Sequence, residues 1–364
     1  MANITDYVKW RGDISFGESP LNPIDALIFA ELSYVHFDDL VPQPVSAKGI
    51  PLSTLAQKFF SLHYDRNKIG AILPTESIFE LFKLVSTTRR FSSVTVKGFV
   101  NEIDLRLEKQ FCAMCFDIGK NSTVVAFRGT DDTLIGWKED LNMSFFSSVP
   151  SQKQAAEYLN SVVLMNEREN YYVCGHSKGG NLATYASIKC KAEVQEKIKA
   201  SYNFDGPGFK KGFVKNAKNN PVLPRLYKYC PVGTIVGAIF HSVESCFYTK
   251  SNAKGLYQHD AFSWEVLGAD YVLIDEPSKS SVDFHNTLEN LVTNMTDAEK
   301  IKFVEALYKF LTVNDATTVT ELTSEKLKFI FSLLKTDDKT RKTMFNFMNR
   351  VLKEKYFPFK PKKK

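Results

Sequence analysis

Residues 171–183, with the sequence YYVCGHSKGGNLA, decide the fold. The apolar run at their start predicts a β-strand, and the residues after Gly179 predict a helix. Between them lies Gly-x-Ser-x-Gly, whose strand–turn–helix setting is typical of a nucleophile elbow. Such a turn is so tight that the serine adopts a strained backbone and the flanking glycines let neighbouring chains pass closely. The segment therefore predicts Ser177 as a nucleophile and the backbone N–H of Lys178 as an oxyanion donor.

Strands and helices alternate on both sides of this segment. Two apolar runs over 108–118 and 122–129 predict a β-hairpin or neighbouring strands. After them, helices over 153–168 and 178–192 alternate with strands over 171–175, 200–204 and 225–230, and a further strand lies near 246–250. This alternation predicts an α/β sheet with parallel central strands and functional residues at their carboxyl ends.

We expect two parts along the chain. Residues 1–284 form the first, in which 20–107 are largely helical and 108–284 carry the catalytic core. Residues 285–364 form an all-α region, because apolar residues recur there at three- and four-residue steps.

An acyl-transfer site generally uses two oxyanion donors. The strand ending at Phe127 leads into the glycine-containing loop Arg128-Gly129-Thr130. We therefore expect Thr130, through its backbone N–H and with its hydroxyl as a further donor, to face Ser177.

The serine needs a base and an acid that follow it in the order serine, acid, histidine. His259 lies in the loop YQHDAFSW and is the predicted base; His241 is the reserve, and His285 fits a surface or capping role better. Asp205 follows the strand 200–204 and is the predicted acid, although its Asp-Gly-Pro-Gly setting also suits a turn. Glu244 and Asp270 remain competing candidates for the acid.

Composition excludes several classes of protein. The chain has 364 residues, 44% of them hydrophobic and 24% charged, as in ordinary folded proteins. Six scattered cysteines do not form a disulfide framework, and the close pair Cys112 and Cys115 suits core thiols better than a metal site. We expect no metal and no cofactor, no nucleic-acid partner, and a cytoplasmic location.

The net charge of +6 lies entirely within 285–364, which hold 16 basic and 10 acidic residues. The tail ends in Lys-Pro-Lys-Lys-Lys and could touch an anionic membrane weakly, although a solvated terminus explains it more simply. The sequence leaves the oligomeric state open.

Five sequence blocks occur together and in order: FAELSYVHFDDLV, FRGTDDTLIGWKEDLNMSF, GHSKGGNLATYAS, NFDGPGF and QHDAFSW. In this combination the chain resembles the Mbeg-like family of bacterial proteins, which is similar to class 3 lipases. The resemblance implies an α/β-hydrolase fold, Ser177 as nucleophile and His259 as base. In class 3 lipases the acid follows the strand after the one that precedes Asp205, and here that place, YCPVGT, holds no carboxylate.

Two hypotheses follow. The first is a serine hydrolase of the lipase or esterase type that cleaves a small-molecule or lipid ester through an acyl-serine. The second is a catalytically weak or inactive binding or scaffold protein that retains the hydrolase fold. A carboxylate within hydrogen-bond distance of the His259 ring favours the first hypothesis.

Overall fold

The computed structural model describes residues 1–62, 75–119, 121–130, 134–146, 148–293, 295–296 and 298–301. Within these residues the helices are α1 (Ile4–Arg11), α2 (Pro23–Leu32), α3 (Leu52–Ser61), α4 (Thr75–Val85), α5 (Leu134–Phe145), α6 (Pro150–Met165), α7 (Lys178–Lys189), α8 (Ala192–Lys197), α9 (Lys211–Ala217) and α10 (Lys279–Thr293). The strands are β1 (Ile50–Pro51), β2 (Thr95–Asp104), β3 (Lys109–Gly119), β4 (Ser122–Phe127), β5 (Asn170–His176), β6 (Ile198–Phe204), β7 (Leu226–Pro231), β8 (Ser245–Thr249), β9 (Val266–Leu267), β10 (Asp270–Tyr271) and β11 (Leu273–Ile274).

Nine of the described strands form one mixed sheet in the order β1-β2-β3-β4-β5-β6-β7-β8-β11. Its first four strands pair antiparallel, β4 to β8 run parallel, and β11 returns antiparallel to β8. Helices lie between β4 and β5, between β5 and β6, and between β6 and β7, as the alternating pattern of the sequence predicts, whereas a segment without a helix joins β7 to β8. Their carboxyl ends lie at one edge of the sheet, where functional residues gather in such folds.

Both faces of the sheet are covered, which is why its central strands are apolar at nearly every position. Along β3, Cys112, Met114 and Phe116 pack into one core beneath α1–α4. The alternate residues Phe111 and Ala113 pack into a second core with α6 and α7. The period-two alternation of side chains therefore separates two cores on opposite faces.

The expectation that 20–107 are largely helical is wrong over β2. Residues 95–104 form a ten-residue strand that pairs antiparallel with β3. Two features interrupt the alternation of apolar and polar residues that would have predicted this strand. Lys97 is buried in an ion pair with Asp117 at 3.0 Å, and the pairing register shifts between Lys97 and Val100. Gly98 lies in this irregularity with a φ of 67°, a conformation that favours glycine.

The predicted helical region 285–364 is described only at its beginning. Helix α10 starts at Lys279 and crosses residue 285, so His285 lies within the helix. Thr296 and Glu299 exchange the hydrogen bonds of a capping box. The remaining predicted helices and the basic tail lie outside the described residues.

The parallel sheet, with a strand–turn–helix junction at β5 and α7, gives the protein an α/β-hydrolase architecture. Within the described residues, every helix is too short or too polar to cross a bilayer.

Candidate active site

Ser177 lies at the sharp turn between β5 and α7. Its φ of 57° and ψ of −132° form a strained conformation that a non-glycine residue rarely adopts. A Cβ on Gly175 would lie 2.2 Å from the backbone of Gly179, and one on Gly179 would lie 2.1 Å from the carbonyl oxygen of Phe127. These contacts explain why glycine stands on both sides of the serine. The serine remains partly exposed at the carboxyl edge of the sheet.

Asp205 occupies the next strand end. It follows β6 directly, also with a positive φ of 50°, and its N–H donates to the carbonyl of Tyr229 at 2.8 Å. The N–H of Ser177 donates to Phe204, the residue before Asp205, at 2.9 Å. The two strand ends are therefore joined directly, which brings the backbone at the serine next to that at the carboxylate.

The structure brings His259 and Asp205 together. Nδ1 of His259 lies 2.7 Å from Oδ2 of Asp205, whose side chain is fully buried, whereas the imidazole keeps 12% of its surface exposed. The other carboxylate oxygen accepts hydrogen bonds from the hydroxyl of Thr234 and from the N–H of Gly237 at 3.2 Å. The segment after β7 thus supplies donors to the carboxylate rather than a carboxylate of its own.

The competing candidates lie in other networks. Glu244 accepts hydrogen bonds from Thr184 and, at 3.0 Å, from Asn203. Asp270 accepts the N–H of its neighbour Tyr271 at 2.8 Å. His285 lies within α10 and His241 lies next to it, with ring centroids 5.5 Å apart.

The two residues predicted as oxyanion donors are Lys178, which follows the serine, and Thr130, which follows Gly129. Lys178 is the first residue of α7, so its N–H belongs to the helix end that lacks intrahelical acceptors. Gly129, the residue before Thr130, packs so tightly against the elbow that a Cβ there would lie 3.1 Å from the Cβ of Ser177. The Thr130 hydroxyl donates to Asp140 at 2.5 Å, so the expectation that it also faces the serine is not met.

The side chain of Lys178 has a structural role. Its ammonium is buried and contacts Glu139 at 2.6 Å and the carbonyl of Gln110 at 2.7 Å. Glu139 also accepts the N–H groups of Gln110 and Ser151, both at 3.0 Å. This buried pair ties α7 to α5 and β3 and leaves only the backbone of Lys178 for chemistry.

A second imidazole, that of His176, packs against His259. The rings of His176 and His259 stack with centroids 4.5 Å apart, and His176 Nε2 lies 2.9 Å from the carbonyl oxygen of His259. Burial, together with the nearby His259, holds the pKa of His176 well below its usual value, so the ring is neutral. Because a carbonyl only accepts, the single ring proton lies on Nε2, and Nδ1 faces the hydroxyl of Tyr34 at 3.2 Å.

Glu31 also contacts His176, with its Oε1 3.3 Å from Nδ1 of the imidazole. Burial, with a smaller contribution from the charge of Asp260, raises the pKa of Glu31 well above its usual value. Sequence reasoning missed His176, Glu31 and Tyr34 as neighbours of the predicted base, His259. Their signal was present in the blocks FAELSYVHFDDLV and GHSKGGNLATYAS, but only the fold joins the two blocks.

A family model, that of the Mbeg1-like proteins, matches residues 85–309. The chain belongs to the Mbeg1-like family. The matched region contains every residue of the predicted triad and both oxyanion donors, and the family agrees with the resemblance seen in the five sequence blocks. A search of curated proteins finds no match.

Solved lipase structures show a distant likeness. M37 lipase is 15% identical over 59% of this chain and 68% of its own, with a TM-score of 0.33. A triacylglycerol lipase from Penicillium expansum is 12% identical over 50% of this chain and 81% of its own, with a TM-score of 0.34. A fungal lipase in complex with an inhibitor is 12% identical over 48% of this chain and 69% of its own, also with a TM-score of 0.34.

Proposed function

We propose that the protein is a serine hydrolase of the lipase or esterase type, which cleaves a carboxylic ester through an acyl-serine intermediate at Ser177. The observation that carries the proposal is the 2.7 Å contact between Nδ1 of His259 and Oδ2 of Asp205, next to a serine in the strained elbow conformation. A nucleophile, a base and an orienting acid in this relation are the parts of a catalytic triad.

In the proposed first half-reaction, the imidazole of His259 removes the proton of the Ser177 hydroxyl as the oxygen adds to the ester carbonyl. Asp205 holds the Nδ1 proton, which leaves Nε2 free to accept the serine proton and stabilises the imidazolium that forms. The backbone N–H groups of Lys178 and Thr130 stabilise the oxyanion. The tetrahedral intermediate then collapses, and His259 returns the proton to the leaving alcohol.

In the second half-reaction, His259 removes a proton from water, whose oxygen adds to the acyl-serine. Collapse of this intermediate releases the carboxylic acid and returns the proton to Ser177. The chemistry requires the side chains of the triad and no further reagent except water. An ester, rather than an amide, is proposed on the resemblance to class 3 lipases.

The alternative of an inactive scaffold had its support in the missing carboxylate after the strand 225–230. In the structure that segment binds Asp205 through Thr234 and Gly237, which supports the enzyme over the scaffold. The carboxylate comes from one strand earlier, and its second oxygen is held by the segment that lacks one.

The test is hydrolysis of p-nitrophenyl acetate, butyrate and palmitate by the purified chain, beside Ser177→Ala and Ser187→Ala. Ser187 is buried in the same helix and donates to the carbonyl of Ala183 at 2.8 Å, so its variant is a matched control. We expect turnover to vanish in Ser177→Ala and to persist in Ser187→Ala. Turnover that is equal in all three proteins would contradict the proposal, as would none by a folded wild-type chain with any of the three esters.

A further inference from the structure

Two imidazoles and a carboxylate converge outside the candidate active site. The ligand atoms of His241, His285 and Glu289 all lie within 4.8 Å of one another. Nε2 of His241 is 3.3 Å from Oε1 of Glu289, and Nε2 of His285 is 3.5 Å from Oε2. The side chains are 26%, 28% and 24% exposed, so the cluster is partly sheltered and still open to water.

The two imidazoles are positioned by backbone contacts. Nδ1 of His285 donates to the carbonyl of Ala238 at 2.8 Å, which leaves Nε2 as the unprotonated atom that faces Glu289. His285 and Glu289 are four residues apart on α10 and so share one face of the helix. The backbone of His241 exchanges hydrogen bonds with Phe209 at 2.7 and 3.1 Å, which fixes the loop that carries the second imidazole.

We propose that His241, His285 and Glu289 bind a zinc ion, with water as the fourth ligand. Imidazole nitrogen and carboxylate oxygen are ordinary zinc ligands, and tetrahedral bonds of about 2.0–2.1 Å place neighbouring ligand atoms about 3.3 Å apart. The separations of 3.3 and 3.5 Å, each from one imidazole to a different oxygen of Glu289, are close to this spacing, and all the ligand atoms lie within 4.8 Å of one another before an ion draws them together. An imidazole held by a backbone carbonyl at its second nitrogen is the usual arrangement at zinc sites.

Lys211 shows that the cluster already attracts a cation. Its ammonium forms an ion pair with Oε1 of Glu289, although the lysine side chain is 72% exposed. A flexible, exposed lysine can turn into water at little cost, so zinc replaces the ammonium at the carboxylate. The ammonium and the zinc ion therefore compete for Glu289.

A bound zinc ion would link α10 to the segment whose residues donate hydrogen bonds to Asp205. This segment lies between β7 and His241, and its residues Thr234 and Gly237 donate hydrogen bonds to Asp205. Ser281 of α10 in turn donates to the carbonyl of Thr234 at 2.7 Å. Zinc adds a further link between the same two elements. Its role is structural, because its ligands bind neither Asp205 nor His259 in the described contacts.

The test uses the full-length chain, freed of metal with a chelator, and measures Zn²⁺ affinity by competition with a chromogenic zinc indicator. We expect one Zn²⁺ per chain. In His285→Ala and Glu289→Gln, binding should weaken by more than the about 10- to 100-fold that loss of an outer-shell partner costs. Lys211→Met should bind zinc more tightly, and Asp283→Asn, an exposed carboxylate on the same helix, should bind as the wild type does.

Two further readouts separate a metal site from a surface ion cluster. Zn²⁺ should raise the melting temperature of the wild type but not of His285→Ala, and bound Co²⁺ should give the visible absorption of tetrahedral nitrogen and oxygen ligands. The proposal is overturned if the wild type fails to bind, if His285→Ala or Glu289→Gln binds equally well, or if Lys211→Met fails to strengthen binding. Circular dichroism of the metal-free variants shows that they are folded, and none of these readouts depends on hydrolase activity.

Discussion

The exchange of Asp205 for asparagine tests the proposed acid through the proton on His259. At its Oδ1 side, Asp205 receives the N–H of Gly237, which can only donate. The amide oxygen of an asparagine must therefore take that side, which turns its NH₂ group towards Nδ1 of His259. Nδ1 then has to accept a hydrogen bond, and the ring proton moves to Nε2.

An imidazole protonated at Nε2 cannot accept the proton of Ser177. Loss of the correct tautomer in a triad lowers kcat by about 10⁴-fold while the geometry is retained, which corresponds to about 5.5 kcal/mol in the barrier. The size and hydrogen-bonding capacity of asparagine preserve the contact with Thr234. We therefore expect a folded protein with nearly unchanged KM and a kcat about 10⁴-fold lower.

The assay is steady-state hydrolysis of the best p-nitrophenyl ester, with circular dichroism to verify folding. Asp270→Asn is the matched control, because Asp270 lies in the exposed strand position of β10 and bonds only its neighbour's N–H among the described contacts. The reasoning is refuted if Asp205→Asn keeps kcat within about tenfold of the wild type, a range far above the expected loss. A larger loss in Asp270→Asn than in Asp205→Asn would also refute it.

Three further variants test the surroundings of the site. Gly179→Ala should not yield folded protein, because its Cβ would lie 2.1 Å from the carbonyl oxygen of Phe127; soluble, cooperatively unfolding protein would refute the close approach. Lys178→Met should lower the free energy of unfolding by about 3–5 kcal/mol in denaturant titrations, because it leaves the buried carboxylate of Glu139 without its cation. A loss within about 0.5 kcal/mol, typical of surface sites, would contradict that role. Glu31→Gln tests the raised pKa of Glu31: between its unfolded and folded pKa the folded state holds the extra proton, so wild-type stability falls as pH rises, by up to about 1.4 kcal/mol per pH unit. The variant should therefore gain stability relative to the wild type as the pH rises above the usual pKa of a glutamate, and an equal pH dependence of both proteins would contradict this account.

Local sequence patterns were sufficient to predict the central sheet and the elbow. The strand before Ser177 and the helix after it are contiguous in sequence, and their periods change abruptly at the glycines. The residues that require glycine lie within the same few positions, except for Phe127 of the neighbouring strand. Such a motif can be predicted from the sequence because most of the contacts that define it lie within the motif itself.

The hydrogen-bond donors around Asp205 could not be predicted from the sequence, because they depend on contacts between segments that are distant along the chain. Thr234 and Gly237 follow β7 but bind the carboxylate of Asp205, which follows β6. The sequence could indicate a carboxylate at a strand end, but not which donors would satisfy its second oxygen.

The His241, His285 and Glu289 cluster was hidden for the same reason. Two of its members are four residues apart on α10, whereas His241 comes from a loop that α10 reaches only in the folded chain. The sequence expectation of no metal considered the neighbouring cysteines Cys112 and Cys115, which are buried core thiols in the structure.

The central claim is that Ser177 is an activated nucleophile, and the most direct measurement is mass spectrometry of the chain after reaction with a fluorophosphonate. Phosphonylation by this reagent, with loss of fluoride, requires a serine whose proton can be transferred to a base. The account predicts one adduct per chain, mapped to the peptide that contains Ser177, and its loss in His259→Ala as well as in Ser177→Ala. An adduct mapped to another serine, or an unmodified Ser177 in folded protein, would contradict it.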